Sequence, residues 1–295
     1  MLGVVNLDKP VGPTSHDMVD LVRRLSGMRR IGHAGTLDPL ASGVLPILVG
    51  AATRFSDDLT GGAKRYEAVI RLGMRSATDD AQGPLEVGSP PPDPAAISAA
   101  VAFFVGTFEQ RPPAFSARKV EGTVAHRAAR AGRPVEATAR RVTVHSIELL
   151  GMDRGEGWLD LRCDIRCGPG TYIRSIARDL GERLGCGGHL HALRRTEAAG
   201  LRVVDGVTPD RLEELAGKGR LDEALLPIAS LLHLPPLRLD AEAANRFTHG
   251  STVRLQGEPG TGRHAVFADG ELIGIGLLSG GLLEPRTVIA AQDPA

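Results

Sequence analysis

Aromatic side chains are scarce in this chain, with seven phenylalanines, two tyrosines and one tryptophan among 295 residues. A core or recognition surface built from many stacked rings is excluded, so Tyr66 and Tyr172 carry more information than tyrosines usually do. Cysteine is nearly absent too. Cys163 and Cys167 alternate with charged residues on one predicted strand, about 13 Å apart at the usual rise per residue, too far for a disulfide. Neither a disulfide framework nor a cysteine-rich metal site is indicated. No apolar run reaches the roughly 18 residues that a membrane span needs, since Val44–Ala52 is broken by Pro46 and Gly50. Net charge is missing as well: 35 Lys+Arg balance 35 Asp+Glu, so the whole molecule exerts no general pull on a polyanion. The chain has no P-loop pattern, no Rossmann glycine pattern and no convincing zinc spacing. His189 and His191 are spaced like a weak ligand pair without a third ligand, and are expected to flank a turn.

What the chain does contain is a patterned mixture of strands and helices, long enough for two domains. Val4–Leu7 and Arg65–Leu72 read as strands. Thr14 followed by Asp17 predicts a capping box, opening a helix that ends at Gly27. Gly83–Pro94 reads as a loop, and Asp93-Pro94 opens a helix that stops near Gly106. Ala139–Leu150 and Trp158–Cys167 alternate in period two and predict a hairpin. Thr171–Leu184 is the best-marked helix, and Glu213–Leu232 reads as helical or irregular. Pro235-Pro236 marks a boundary, after which short strands with glycine turns suggest a small barrel. Irregular alternation of strands and helices favours α+β over a doubly wound sheet.

One segment concentrates the chemistry. Asp38 is the sole acid between Ile31 and Arg54, flanked by Gly35, which permits unusual dihedrals, and Pro39, which locks φ. An acid held on a rigid turn against the apolar run Val44–Val49 is poorly solvated, which suits a nucleophile or a proton-transfer group. By residue type alone, such an aspartate more often caps a helix or forms an Asx-turn.

The string from Gly32 to Pro46 resembles the G-H-x-G-x-L-D-P-x-A-x-G-x-L motif of the TruB family of tRNA pseudouridine synthases. Four other segments match that family in order. They are Asp8–Ser15 (D-K-P-x-G-x-T-S), Lys64–Ala68 (K-x-Y-x-A), Gly170–Ser175 within G-T-Y-I-R-S, and Leu193–Thr196 (L-R-R-T). Departures occur at Phe115, Arg118 and His126, and at Ala77, where the family carries an acid. The resemblance implies an α+β pseudouridine synthase fold, with a mixed, largely antiparallel sheet and a central cleft over 1–232. It further implies a small β-rich PUA-like domain over 235–295. It implies isomerisation of the uridine at position 55 in the TΨC loop of tRNA, with no cofactor and no metal. Asp38 becomes the catalytic carboxylate, and Arg174 is expected to pair with it and keep it ionised. Tyr66 is expected to stack on the flipped uracil and Tyr172 to line the pocket. Leu193 is expected to form an apolar wall, Asp80 to contact substrate or to cap a turn, and His33 to fill the space left by the extruded base.

The expected partner is the TΨC stem-loop of tRNA, bound by a monomer with no obligate protein partner and no membrane. The first ten residues show no secretory pattern, so the cytoplasm is the expected location. Two other readings are an RNA chaperone independent of chemistry, and the RNA-guided branch of the same family, whose long basic tails are not found here. Charge distribution offsets the neutral total. From Arg111 to Arg141 eight basic residues (Arg111, Arg118, Lys119, Arg127, Arg130, Arg133, Arg140, Arg141) face two acids, Glu121 and Glu136. Arg23, Arg24, Arg29 and Arg30 form a second cluster. Beyond Pro235, five basic residues meet seven acidic ones. If the first cluster contacts phosphates, replacing Arg127, Arg130 and Arg133 by Ala weakens RNA affinity. It also flattens the salt dependence, by about one unit of log–log slope per lost contact, as a filter-binding salt titration would measure.

Overall fold

The structure, a computed structural model, describes residues 1–114, 119–120, 123–124, 138–255 and 260–289. Strand β1 (Gly3–Lys9) is apolar and buried through most of its length. Helix α1 (Ser15–Ser26) begins with the predicted capping box: Thr14 Oγ1 accepts from the Asp17 N–H at 3.1 Å, and Asp17 Oδ2 accepts from the Thr14 N–H at 2.7 Å. A cap of this kind stabilises a helix by about 1 kcal/mol. Gly27, at φ +68°, closes the helix in the left-handed region, where a side chain would be strained. Met18, Val19 and Val22 are the apolar residues it buries, against β1, β2 (Ile31–His33) and β3 (Ala41–Val49).

Next come β4 (Lys64–Leu72), α2 (Pro94–Ala102) and β5 (Gly106–Gln110), then the long hairpin β6 (Arg140–Arg154) and β7 (Leu159–Cys167). Helix α3 (Ile173–Arg183) and β8 (Gly188–Ala198) complete the centre of the molecule. The main sheet runs Leu225–Leu226, β1, β3, β8, β4, β7, β6, β5, with β2 added on β3 and Leu201–Arg202 on β8. Every pairing in it is antiparallel except β3 with β8, which is parallel. The sheet is thus mixed and largely antiparallel, as expected.

Alternation along β4 and β7 sends Tyr66, Ala68, Ile70 and Leu161, Cys163, Ile165 to one face, where Ile173, Ile176, Ala177 and Leu180 of α3 cover them. The opposite face carries a lattice of ion pairs, including Arg65–Asp164 at 2.9 Å and Arg71–Asp160 at 2.7 Å. Cys163, Cys167 and Cys186 are buried free thiols. Among the described residues, no helix is long and apolar enough to cross a membrane.

A second sheet orders Pro236–Arg238, Gly262–Ala268, Glu271–Ser279, Leu282–Val288 and Val253–Arg254, around a core that includes Phe247, Val266 and Leu283. Ile275 of that sheet shares a buried cluster with Val44, Leu48, Phe55 and Ile228 of the larger one.

Three sequence expectations are corrected. The predicted loop 83–94 contains a strand, Leu85–Val87, paired with Met74–Ser76; this pairing is a tertiary contact of exposed residues that carries no periodic signal. His189 and His191 lie within β8 rather than at a turn, and His189 is fully buried. The C-terminal sheet is accompanied by a helix, Ala241–Thr248, capped by Asp240 through the Ala243 N–H at 2.8 Å; the Asp-Ala-Glu-Ala start was a readable signal.

The parallel pair joins two of the motifs, with Leu193 opposite Ala41 and Arg195 opposite Gly43. Gly43 has φ +102°, and a Cβ there would lie 2.2 Å from the Arg195 carbonyl oxygen. Gly43→Ala is expected to destabilise the protein by about 3 kcal/mol, combining left-handed strain with a backbone clash. Urea unfolding followed by circular dichroism would measure it.

Candidate active site

The turn that carries Asp38 is tied down from several directions. Gly35 takes φ +91° at its entry. Ser15 Oγ accepts from the Leu37 N–H at 2.8 Å and donates to the Leu37 carbonyl at 2.9 Å. The Ala41 N–H donates to the Asp38 carbonyl at 3.0 Å and the Gly12 N–H to that of Pro39 at 2.8 Å. The segment holding Gly12 and Ser15 is itself fixed by Lys9. Its buried ammonium donates to the carbonyls of Pro10 and Pro13 at 2.8 and 2.7 Å, and burial pulls its pKa down to about 8. Two motifs far apart in sequence are therefore one mechanical unit.

Asp38 opens into a cavity of about 380 Å³, whose walls include Tyr66, Tyr172, Arg174 and Leu193. Five of the seven residues singled out in the sequence thus meet at one place. Asp38 is the sole acid on those walls among the described residues, facing the cations Lys64, Arg140, Arg174 and Arg195.

Arg174, on the first turn of α3, is almost wholly buried and sets an Nη 2.9 Å from Asp38 Oδ2. Its other Nη donates to the Thr78 carbonyl at 3.2 Å and lies 3.6 Å from Asp80 Oδ2. One turn later Arg178 binds Asp79 at 2.8 Å, and Asp79 adopts φ +63°. Spacing of four along α3 thus clamps the Thr78–Asp80 turn.

The Asp38 side chain is 39% exposed, but into the cavity. Its pKa is raised: desolvation by the walls is the largest cause, Asp80 adds to it, and Arg174 opposes it. The expected pairing with Arg174 is present and pulls the carboxyl pKa down, against a desolvation that is the larger effect.

Tyr66 is buried on β4, and burial pushes its hydroxyl pKa up. Tyr172 precedes α3, where Gln110 brackets its peptide: Oε1 accepts from the Tyr172 N–H at 2.9 Å and Nε2 donates to its carbonyl at 3.0 Å. The Arg140 guanidinium lies 5.0 Å from the Tyr172 ring centroid.

Two expected site residues stand apart from the cavity. Asp80 is buried behind Arg174, accepting from Thr78 Oγ1 at 2.6 Å and the Gln82 N–H at 3.1 Å; it is a turn cap and a second carboxylate for Arg174. His33 ends β2 opposite Ile47, its Nδ1 without a hydrogen-bond partner among the described residues and its pKa lowered by burial. Phe115, Arg118, His126, Arg127, Arg130 and Arg133 lie outside the described residues.

Gln110, Lys64 and Arg195 were not singled out in the sequence, and Arg140 only as one of the eight basic residues from Arg111 to Arg141. Lys64 and Arg195 fall inside the quoted K-x-Y-x-A and L-R-R-T motifs, a signal available from the start. Among the described residues, no group of three or more His, Cys, Asp or Glu is arranged to hold a metal ion. The arrangement presents one poorly solvated carboxylate, an apolar wall, two rings and several cations to a planar, anionic ligand.

Residues 23–173 match the TruB family pseudouridylate synthase N-terminal domain. Residues 174–233 match the tRNA pseudouridylate synthase B C-terminal domain, and 235–289 the pseudouridine synthase II TruB C-terminal domain. The tRNA pseudouridine synthase B of Ralstonia pickettii (strain 12J) is 42% identical over 97% of this chain and 94% of its own. The protein of the same name from Burkholderia pseudomallei (strain 668) is 42% identical over 97% and 96%. Among solved structures, a chain of the archaeal box H/ACA sRNP Nop10-Cbf5 complex superposes with a TM-score of 0.73 at 25% identity, covering 97% of this chain and 86% of that one.

The raised Asp38 pKa has a consequence for stability. The native carboxyl holds its proton more tightly than the unfolded one, so the charged form penalises the fold at pH above the raised pKa. The penalty shrinks as pH falls below it and is gone once pH is below the ordinary carboxylate range. Asp38→Asn is expected to melt no lower than the natural protein at neutral pH. Scanning calorimetry at stepwise lower pH should show the difference closing.

Proposed function

The chain belongs to the TruB family of pseudouridylate synthases, and from that premise we propose that it isomerises one tRNA uridine, at position 55 of the TΨC loop, to pseudouridine with Asp38 as the catalytic carboxylate. The observation that carries this reading is that, among the described residues, a single acid faces four cations in a cavity that also holds both tyrosines of the chain.

The reaction breaks the C1′–N1 bond, turns the uracil and joins C5 to C1′. C5 loses a proton and N1 gains one, so the product is an isomer. The target nucleotide must leave its stack to enter so enclosed a site. Cationic side chains at the walls favour the phosphate-bearing strand, and Tyr66 offers a face to the base, a contact of about 1–3 kcal/mol. Asp38 serves either by attacking the sugar or base or by taking a ribose proton; both uses need it ionised. Arg174 opposes the desolvation that would protonate it. Because burial raises the Tyr66 pKa, its neutral hydroxyl relays the C5 proton rather than standing ready as a tyrosinate.

In this reading Asp80 acts through Arg174 and not on RNA, while Tyr172 and Leu193 bound the base. His33, at the end of β2, occupies the RNA stack once the base has left. Residues 1–232 form the catalytic domain and 235–295 a PUA-like accessory domain. The protein works in the cytoplasm as a monomer on free tRNA.

Asp38→Asn tests the proposal on a tRNA transcript labelled with tritium at uracil C5. Tritium release is expected to fall by about 100-fold or more, with tRNA affinity unchanged. Activity close to that of the natural protein would remove Asp38 from the chemistry, and label release from a uridine outside the TΨC loop would overturn the site assignment.

A further inference from the structure

Arg195 is fully buried on β8, an unusual location for a guanidinium. It sits between β4, which carries Tyr66, and β3, which follows the Asp38 turn: its antiparallel partner on β4 is Tyr66, and its parallel partner on β3 is Gly43. Cross-strand partners share a face of the sheet with their Cβ atoms about 5 Å apart, so the Arg195 side chain starts beside the Tyr66 ring. From there its three nitrogens end on backbone carbonyls of the aspartate turn. Nε donates to Val44 at 2.7 Å, and the terminal nitrogens donate to Gly35 at 2.9 Å and Thr36 at 3.4 Å. These carbonyls flank Asp38 on both sides in sequence. Its neighbour Arg194 turns the other way, to Asp8 at 2.8 Å.

We infer that Arg195 is a positioning residue, holding the Asp38 turn and the Tyr66 ring in one fixed relation. A planar fork with several donors can satisfy carbonyls on both flanks of a turn at once, which a lysine ammonium cannot do with the same geometry. The titratable groups facing the Tyr66 hydroxyl are Arg195 on β8, Cys167 on β7 and Asp38 on the turn. Of these, Arg195 alone opposes the rise that burial imposes on the hydroxyl. Arg174 holds the Asp38 carboxylate directly; Arg195 holds the backbone from which that carboxylate projects.

The kinetic part of this role rests on the uridine-isomerase reading above, whereas a spectroscopic part does not. The chain has two tyrosines, so growing Tyr172→Phe protein on a difluorotyrosine leaves position 66 as the sole fluorinated ring. Its ¹⁹F shift followed against pH is expected to give a midpoint that rises by about one unit in Arg195→Met, and less in Arg195→Lys. An unchanged midpoint in both would overturn the coupling to Tyr66.

In unfluorinated protein with Tyr172 restored, Arg195→Met is expected to slow single-turnover pseudouridine formation by about a hundredfold with tRNA affinity preserved. Arg195→Lys should recover part of the rate. A loss in affinity alone, with the rate at saturating tRNA intact, would make Arg195 an RNA-contacting cation and overturn the role. If Arg195→Met does not fold, Arg195→Lys carries both measurements. Failure of the natural protein to form pseudouridine would sink the functional reading and leave the ¹⁹F result standing.

Discussion

The ion pair between Asp38 and Arg174 is the interaction on which the site depends. A carboxylate in a walled cavity loses the hydration that keeps it charged, and a guanidinium taken out of water is costly unless its donors are met. Each supplies what the other lacks, at 2.9 Å. Arg174 also bonds the Thr78 carbonyl and faces Asp80, so its orientation does not depend on Asp38. The cation is held by the scaffold, and the carboxylate is presented to it with one side open. Asp38 is paired and still has a raised pKa because desolvation by the walls, with Asp80 nearby, outweighs the pull of Arg174.

Around this pair the fold assembles its parts by backbone bonds more than by side-chain packing. Ser15 holds Leu37 from α1, Lys9 holds the segment before α1, and Arg195 holds Gly35, Thr36 and Val44 from β8. The parallel contact between β3 and β8 is what brings Arg195 and Leu193 under the turn. Gly43 is glycine because that approach leaves no room for a Cβ. Carbonyls gripped by buried donors thus hold the turn from several directions.

A protein with no net charge can bind a polyanion if its cations are local. Lys64, Arg140 and Arg174 converge on one cavity, while much of the remaining charge is spent in pairs on the open face of the sheet, such as Arg71–Asp160 and Arg65–Asp164. Salt screens surface charges within roughly 10 Å, so the arrangement within the cleft matters more than the total. The neutral composition was therefore a poor guide to partners.

Local chemistry made much of this legible in advance. The capping box of Thr14 and Asp17, the period-two strands of β6 and β7, and the apolar face of α3 are near-neighbour patterns, and each appears within a residue or two of its expected limits, except that β6 runs on to Arg154, four residues past its expected end. The motifs identified Asp38, Tyr66, Tyr172, Arg174 and Leu193 as companions because each motif is a short string. The sequence could not say that Asp80 lies behind Arg174, that desolvation outweighs the ion pair at Asp38, or that Arg195 and Arg194 face opposite ways. It also missed the strand Leu85–Val87 and the burial of His189. Those facts depend on register between strands far apart in the chain and on how much water the assembled walls exclude. Neither quantity exists until the tertiary structure closes, so the sequence determined the elements and the reactive groups, and the fold decided their relative placement and how tightly each holds its proton.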